Sequence, residues 1–163
     1  MTNNNNLPIH AANLALFNPG IDLVQIRLHP EKFPRVGTTS EDVAVAKMTP
    51  LVYGAFLYRG TDVSSETVSF IATALVREIN NDRKYGLREL SWLEVGMVIR
   101  NAVLGGGREL FGVSVSTLYA ALMEYAKNEG HQAFLLAKTT PITPATPELD
   151  EYAVVIAKAL KSK

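Results

Sequence analysis

Cysteine is absent from the 163-residue sequence. Its absence excludes disulfide stapling, Cys-ligated zinc, iron–sulfur clusters and thiol catalysis. An excess of either charge is missing as well, with 16 Lys and Arg against 16 Asp and Glu. Proteins whose main task is to grip duplex DNA by its phosphates carry surplus positive charge, so any nucleic-acid contact here has to be local. No apolar run approaches the roughly 18 residues of a membrane helix, because Glu, Arg or Asn interrupts each one. The opening "MTNNNNLPIH" has neither a basic n-region nor an apolar h-region, so the chain reads as cytoplasmic, with no membrane partner. Histidine is scarce: His10, His29 and His131 stand apart with no carboxylate at a ligand spacing. They read as surface or loop residues, and no metal is expected. Nothing marks a nucleophile beside a base, and Glu89, Glu94 and Glu109 have capping, solvent or dipole roles open to them. No catalytic residue and no cofactor is therefore assigned, and a non-enzymatic protein is expected.

What is present is helical patterning over one core's worth of apolar residues, 47% of the chain. Residues 1–39 read as a flexible arm and linker. They hold the polar run Asn3 to Asn6, a short apolar patch "AANLALF" and the turn signal Asn18-Pro19-Gly20. "IDLVQIRLHP" alternates enough for a short strand, though without a mate an extended arm is the equal alternative. The core domain is expected over 40–136. Ser40 is an N-cap for a helix to about Met48, and Thr49-Pro50 restarts a second helix to about Arg59. Val68, Ile71, Ala72, Leu75, Val76 and Ile79 form an apolar stripe behind a Ser64 or Ser65 cap. Ser91 and Glu94 make an S-x-x-E capping box. The helix that follows has apolar residues on much of its circumference, including Trp92, Val95, Ile99 and Val103. Ser114 or Ser116 caps the next, which carries Leu118, Tyr119 and Leu122 and fades near Gly130. A Thr/Pro linker over 137–145 leads to a last helix over 146–163, with Thr146-Pro147 as cap and first turn.

Gly105-Gly106-Gly107 raises the question of a phosphate cradle. "GGGRELFG" lacks the Lys-Ser/Thr pair of a P-loop and follows a helix instead of a strand, so it reads as a helix-ending corner. "GVSVSTLYAALMEY" resembles the recognition half of a helix-turn-helix. Its Gly105–Val113 connection, however, is longer than the roughly three or four residues such a turn uses. Its reading face also offers Ser116, Thr117 and Glu124, not the Arg, Lys, Asn or Gln that pair with base edges. Arg83, Lys84, Arg88, Arg100 and Arg108 form the local basic enrichment. They are weighed as a patch for nucleic-acid phosphate or an acidic partner, against the plainer reading of helix-end charges facing water.

The run from Met48 to Gly130 resembles a set of small helical proteins of Bacteroidetes phages and mobile elements. The shared layout is a polar helix cap, a loop with "L-x-x-x-E/D", a helix ending in a small-residue corner, an aromatic or Leu plus Gly, and a helix leading to "L-x-x-Y". Ser64–Ile79, Leu87–Glu94, Val95–Gly107, Leu110–Gly112 and Leu118–Tyr125 match it in turn. The chain departs from the layout at Leu122-Met123 and Lys127, where many members have Trp before the final Tyr and Arg soon after. The resemblance implies an all-helical fold and a phage or mobile-element setting, and supplies no catalytic residue.

The expectation is thus an all-α bundle of about five or six helices with an extended N-terminal arm and a Thr/Pro-linked C-terminal helix. Its function would be that of an adaptor in DNA transactions, or of a structural virion or assembly subunit. The expected partner is another protein or a second copy of the chain, met through Leu14, Leu16 and Phe17 of the arm and Tyr152, Ile156 and Leu160 of the last helix. The basic residues add nucleic acid as a candidate partner.

Overall fold

The computed structural model describes residues 23–104 and 112–142 and, in the last helical segment, 150–151, 153–155 and 157–158. The fold is all-α: six helices and no strand occur among the described residues. They are α1 (Leu23–Leu28), α2 (Glu41–Tyr58), α3 (Ser65–Asn81), α4 (Trp92–Val103), α5 (Val115–Tyr125) and α6 (His131–Thr139). No helix of the described residues is long and apolar enough to cross a membrane. The Gly105–Gly107 corner, Arg108, Glu109 and the arm residues Leu14, Leu16 and Phe17 lie outside the described residues, as do His10, Tyr152, Ile156 and Leu160.

The core follows the periodicity closely in its middle. Val68, Ile71, Ala72, Leu75, Val76 and Ile79 are all buried on α3. Ser64 caps this helix by accepting from the Thr67 backbone N–H. α4 is buried around most of its girth and lies at the centre, packed on α2 and α5. The Ser91–Glu94 capping box opens it as expected. Leu104 is its half-exposed C-cap. Ser114 caps α5 in a second box closed by Thr117, and Leu118 and Leu122 are fully buried.

Three expectations are corrected by the structure. The two helices split at Thr49-Pro50 are one, running through Pro50. Ala44, Met48, Val52, Ala55 and Phe56 form one buried stripe across the proline. A continuous packing face therefore overrides a local helix breaker, and Thr49 Oγ1 donates to the Val45 carbonyl at 2.8 Å beside it. Ser40 does occupy the N-cap position, but its side chain makes no capping bond.

The second correction concerns the arm and linker. Residues 23–28 are helical, not a strand or extended. Residues 23–39 belong to the body: Ile26, Phe33 and Val36 are buried in it. The segment is stitched to the start of α4 by Val36 N–H to Leu90 O (2.9 Å), Trp92 N–H to Pro34 O (3.2 Å) and Trp92 Nε1–H to Thr39 Oγ1 (3.1 Å). A single β-bridge joins Arg35 to Ser91.

Third, the chain does not fade near Gly130. A π turn over Ala126–Gly130 carries α5 into α6, which reaches Thr139 inside the expected linker. α6 packs on α1, so the two unexpected helices support each other. The described part of the last helix also touches the body of the chain. Lys32 pairs with Asp150, and Ala153 and Ala157 line a cavity of about 30 Å3 with Phe33, Pro34, Trp92 and Leu93.

Candidate functional site

The polar centre of the molecule is built on Glu94. Its position as third residue of the α4 capping box turns its carboxylate back toward Ser91, whose N–H and Oγ–H donate to Oε2 at 2.9 and 3.0 Å. The other oxygen, Oε1, accepts from Arg27 Nε (3.0 Å) and Nη2 (2.8 Å) and from the Tyr125 hydroxyl (3.0 Å). Glu94 is fully buried, while Arg27 is 6% and Tyr125 9% exposed. Burial, reinforced by the adjacent Glu94 charge, pushes the Tyr125 phenol far above its ordinary range, so it stays a neutral donor. A buried carboxylate with five donors and a guanidinium partner is a closed network. It joins α1, α4 and the end of α5, and both oxygens of the carboxylate are taken up by its own partners.

The second polar element is the loop after α3. α3 ends at Asn81, and Asp82 is its C-cap. The Asp82 carboxylate accepts the backbone N–H groups of Lys84, Tyr85 and Leu87 at 3.1, 3.1 and 2.9 Å. Burial opposes ionisation of Asp82, but these hydrogen bonds outweigh it and hold its pKa below the usual carboxylate value. Gly86 closes the loop at φ +77°, in the left-handed region open to glycine. Arg83 is exposed and folds back along the loop, donating to the carbonyls of Asn80 and Asp82.

The predicted basic patch is only partly assembled. Lys84 lies 5.2 Å from the Tyr85 ring centroid, and Lys127, from the π turn, approaches the same ring at 4.4 Å. Arg88 turns away toward the Gly37 carbonyl at 3.4 Å. Arg100 is buried on α4 with its guanidinium 6.0 Å from the Tyr58 ring, so it does not join Lys84 on an open face. Lys127, which charge spacing along the chain did not reveal, takes its place because the π turn brings Ala126–Gly130 beside the loop. No carboxylate pairs with Lys84, Lys127 or His131 among the described residues.

An open pocket of about 200 Å3 lies between this loop, α1 and α6, lined by Arg27, Lys84, Tyr85, Gly86, Glu89, Leu90, Ala126, Gly130, His131 and Phe134. Glu89 at its edge is paired with Arg35 at 2.7 Å. His131 is exposed as expected, whereas His29 is buried, with Nδ1 3.0 Å from Glu31 Oε1. Among the described residues no group of three or more His, Asp or Glu is placed to hold a metal ion. Compared with protein-family models, curated proteins and solved structures, the chain matches none.

Proposed function

We propose that the protein is a non-enzymatic cytoplasmic adaptor of phage or mobile-element DNA transactions. It would act through protein contacts and a modest basic patch at Lys84, Lys127 and Arg83. The observation that carries this reading is the convergence of Lys84 and Lys127 on Tyr85, without a carboxylate partner, in a chain of zero formal charge. An ammonium pair flanking an aromatic ring suits a phosphate backbone or an acidic peptide. Glu94 and Tyr125 are bound within their own buried network and serve the fold.

Fluorescence anisotropy with labelled single- and double-stranded oligonucleotides tests the nucleic-acid contact. Binding is expected at low ionic strength, weakening steeply toward roughly 0.15 M salt. Replacing Lys84 and Lys127 with Ala is expected to reduce the salt slope by about two. Absence of binding even at low salt overturns the nucleic-acid part of the proposal.

A second reading, an assembly subunit, is favoured by Leu135 and Leu136 on α6 and by Ile142 just beyond it, which are 49%, 56% and 80% exposed. Apolar side chains grouped on one outer segment suit a contact between copies. Light scattering at high protein concentration tests it, and a strict monomer overturns it.

A further inference from the structure

Arg27 forms one side of the pocket between α1, the Asp82–Gly86 loop and α6. Two of its roughly five N–H donors are committed to Glu94. No hydrogen bond from Nη1 occurs among the described residues, and Nη1 is not one of the fully buried unpartnered atoms, so it keeps access to solvent. A guanidinium with donors to spare at the edge of a pocket is set to receive an acceptor-rich group.

Gly130 packs close on the inner side of the guanidinium: a Cβ there would lie 3.3 Å from Arg27 Nη2 and equally near Tyr125 Cε1 and the Tyr125 carbonyl oxygen. Gly86 adds no side chain to the same wall. The charge balance also favours an anion. Glu94 is neutralised by Arg27 and Glu89 by Arg35, which leaves Lys84 on the wall and Lys127 behind Tyr85, with Glu129 of the π turn opposing them in part. The rings of Tyr85 and Phe134, with Leu90 and Ala126, give the wall its apolar part, and His131 and Glu89 complete the lining. The volume of about 200 Å3 admits an oxyanion carrying one ring.

We propose that this pocket binds a small organic oxyanion, a phosphate or carboxylate group borne on a single ring. Arg27 and Lys84 hold its oxygens, and Tyr85 and Phe134 hold its apolar part. This inference rests on the pocket alone and stands whether or not the protein contacts nucleic acid.

The test is a titration of the isotope-labelled full chain, followed by NMR, with phenyl phosphate, benzoate and inorganic phosphate as probes. Saturable shifts are expected at the Gly86 and Gly130 amides and at the Arg27 Nε–Hε signal, stronger for the ring-bearing anions than for inorganic phosphate. Lys84→Ala, at an exposed position, is expected to weaken binding about threefold to fivefold. Phe134→Ala is expected to weaken the ring-bearing probes while leaving inorganic phosphate unchanged. The proposal is overturned if none of the three signals saturates by about 10 mM probe, a range that captures affinities down to the millimolar. Shifts confined to lysine side chains and unaffected by Lys84→Ala overturn it too. A titration with a 5′-phosphorylated oligonucleotide keeps the two proposals apart: nucleic-acid binding without a response to the ring-bearing anions overturns the pocket and leaves the adaptor reading intact.

Discussion

Replacing Glu94 with Gln keeps the shape of the most buried charged side chain and removes its charge. The five donors around it then meet an amide with a single acceptor oxygen. If that oxygen faces Arg27 and Tyr125, the new NH2 group confronts the Ser91 N–H; if it faces Ser91, the NH2 confronts the guanidinium. Either way Arg27, only 6% exposed, loses its counter-ion. Removing one member of a buried pair costs about 3–5 kcal/mol, a large share of the roughly 5–15 kcal/mol that holds a domain together. At about 2–4 °C per kcal/mol for a chain of this size, the Tm should fall by roughly 6–20 °C. Denaturant unfolding followed by helical circular dichroism and by Trp92, the sole tryptophan and a buried one, measures the loss. The double variant Arg27→Met with Glu94→Gln should recover part of it, with a coupling of about 1–3 kcal/mol, because no orphaned charge remains. A Glu94→Gln cost below about 1 kcal/mol, or strictly additive single effects, would refute the closed network and with it the docking of α1 on α4.

Three further outcomes follow from the same contacts. Tyr125→Phe removes one donor to Glu94 and should cost about 1.5–3 kcal/mol in the same denaturation assay, as for a hydrogen bond to a charged group. Asp82 has a folded-state pKa below its ordinary value of 3.8. Its stabilisation is therefore present above that value and is lost as pH falls through the lower folded one. Asp82→Ala should accordingly destabilise the protein by about 1–2 kcal/mol at neutral pH, with the gap to wild type closing in acid-titrated unfolding. Gly37→Ala would place a Cβ 2.8 Å from Arg88 Cβ and 2.9 Å from its carbonyl oxygen. That clash should cost about 1–3 kcal/mol and raise hydrogen exchange at the Val36 and Trp92 amides, which stitch residues 34–39 to α4.

The caps and stripes of α3, α4 and α5 were legible because both are local: a Ser or Thr oxygen reaches an N–H three residues on, and burial repeats every turn. Glu94 was legible only as half of a capping box. That its second oxygen receives Arg27, sixty-seven residues away, and Tyr125 depends on the docking of α1 and α5, which no spacing along the chain reveals. The basic cluster misled for the same reason. Sequence proximity grouped Lys84 with Arg88 and Arg100, while the fold turns those two arginines toward Gly37 and Tyr58 and brings Lys127 to Tyr85.

The sequence by itself determined an all-α class and the course of its central helices, since apolar periodicity and capping act over a few residues. The tertiary structure decided that α2 runs through Pro50, that residues 23–39 join the body, and that a π turn carries the chain past Gly130 into α6. In each case the energy of burying a continuous apolar face, summed over many contacts, exceeds the one or two local signals that pointed the other way.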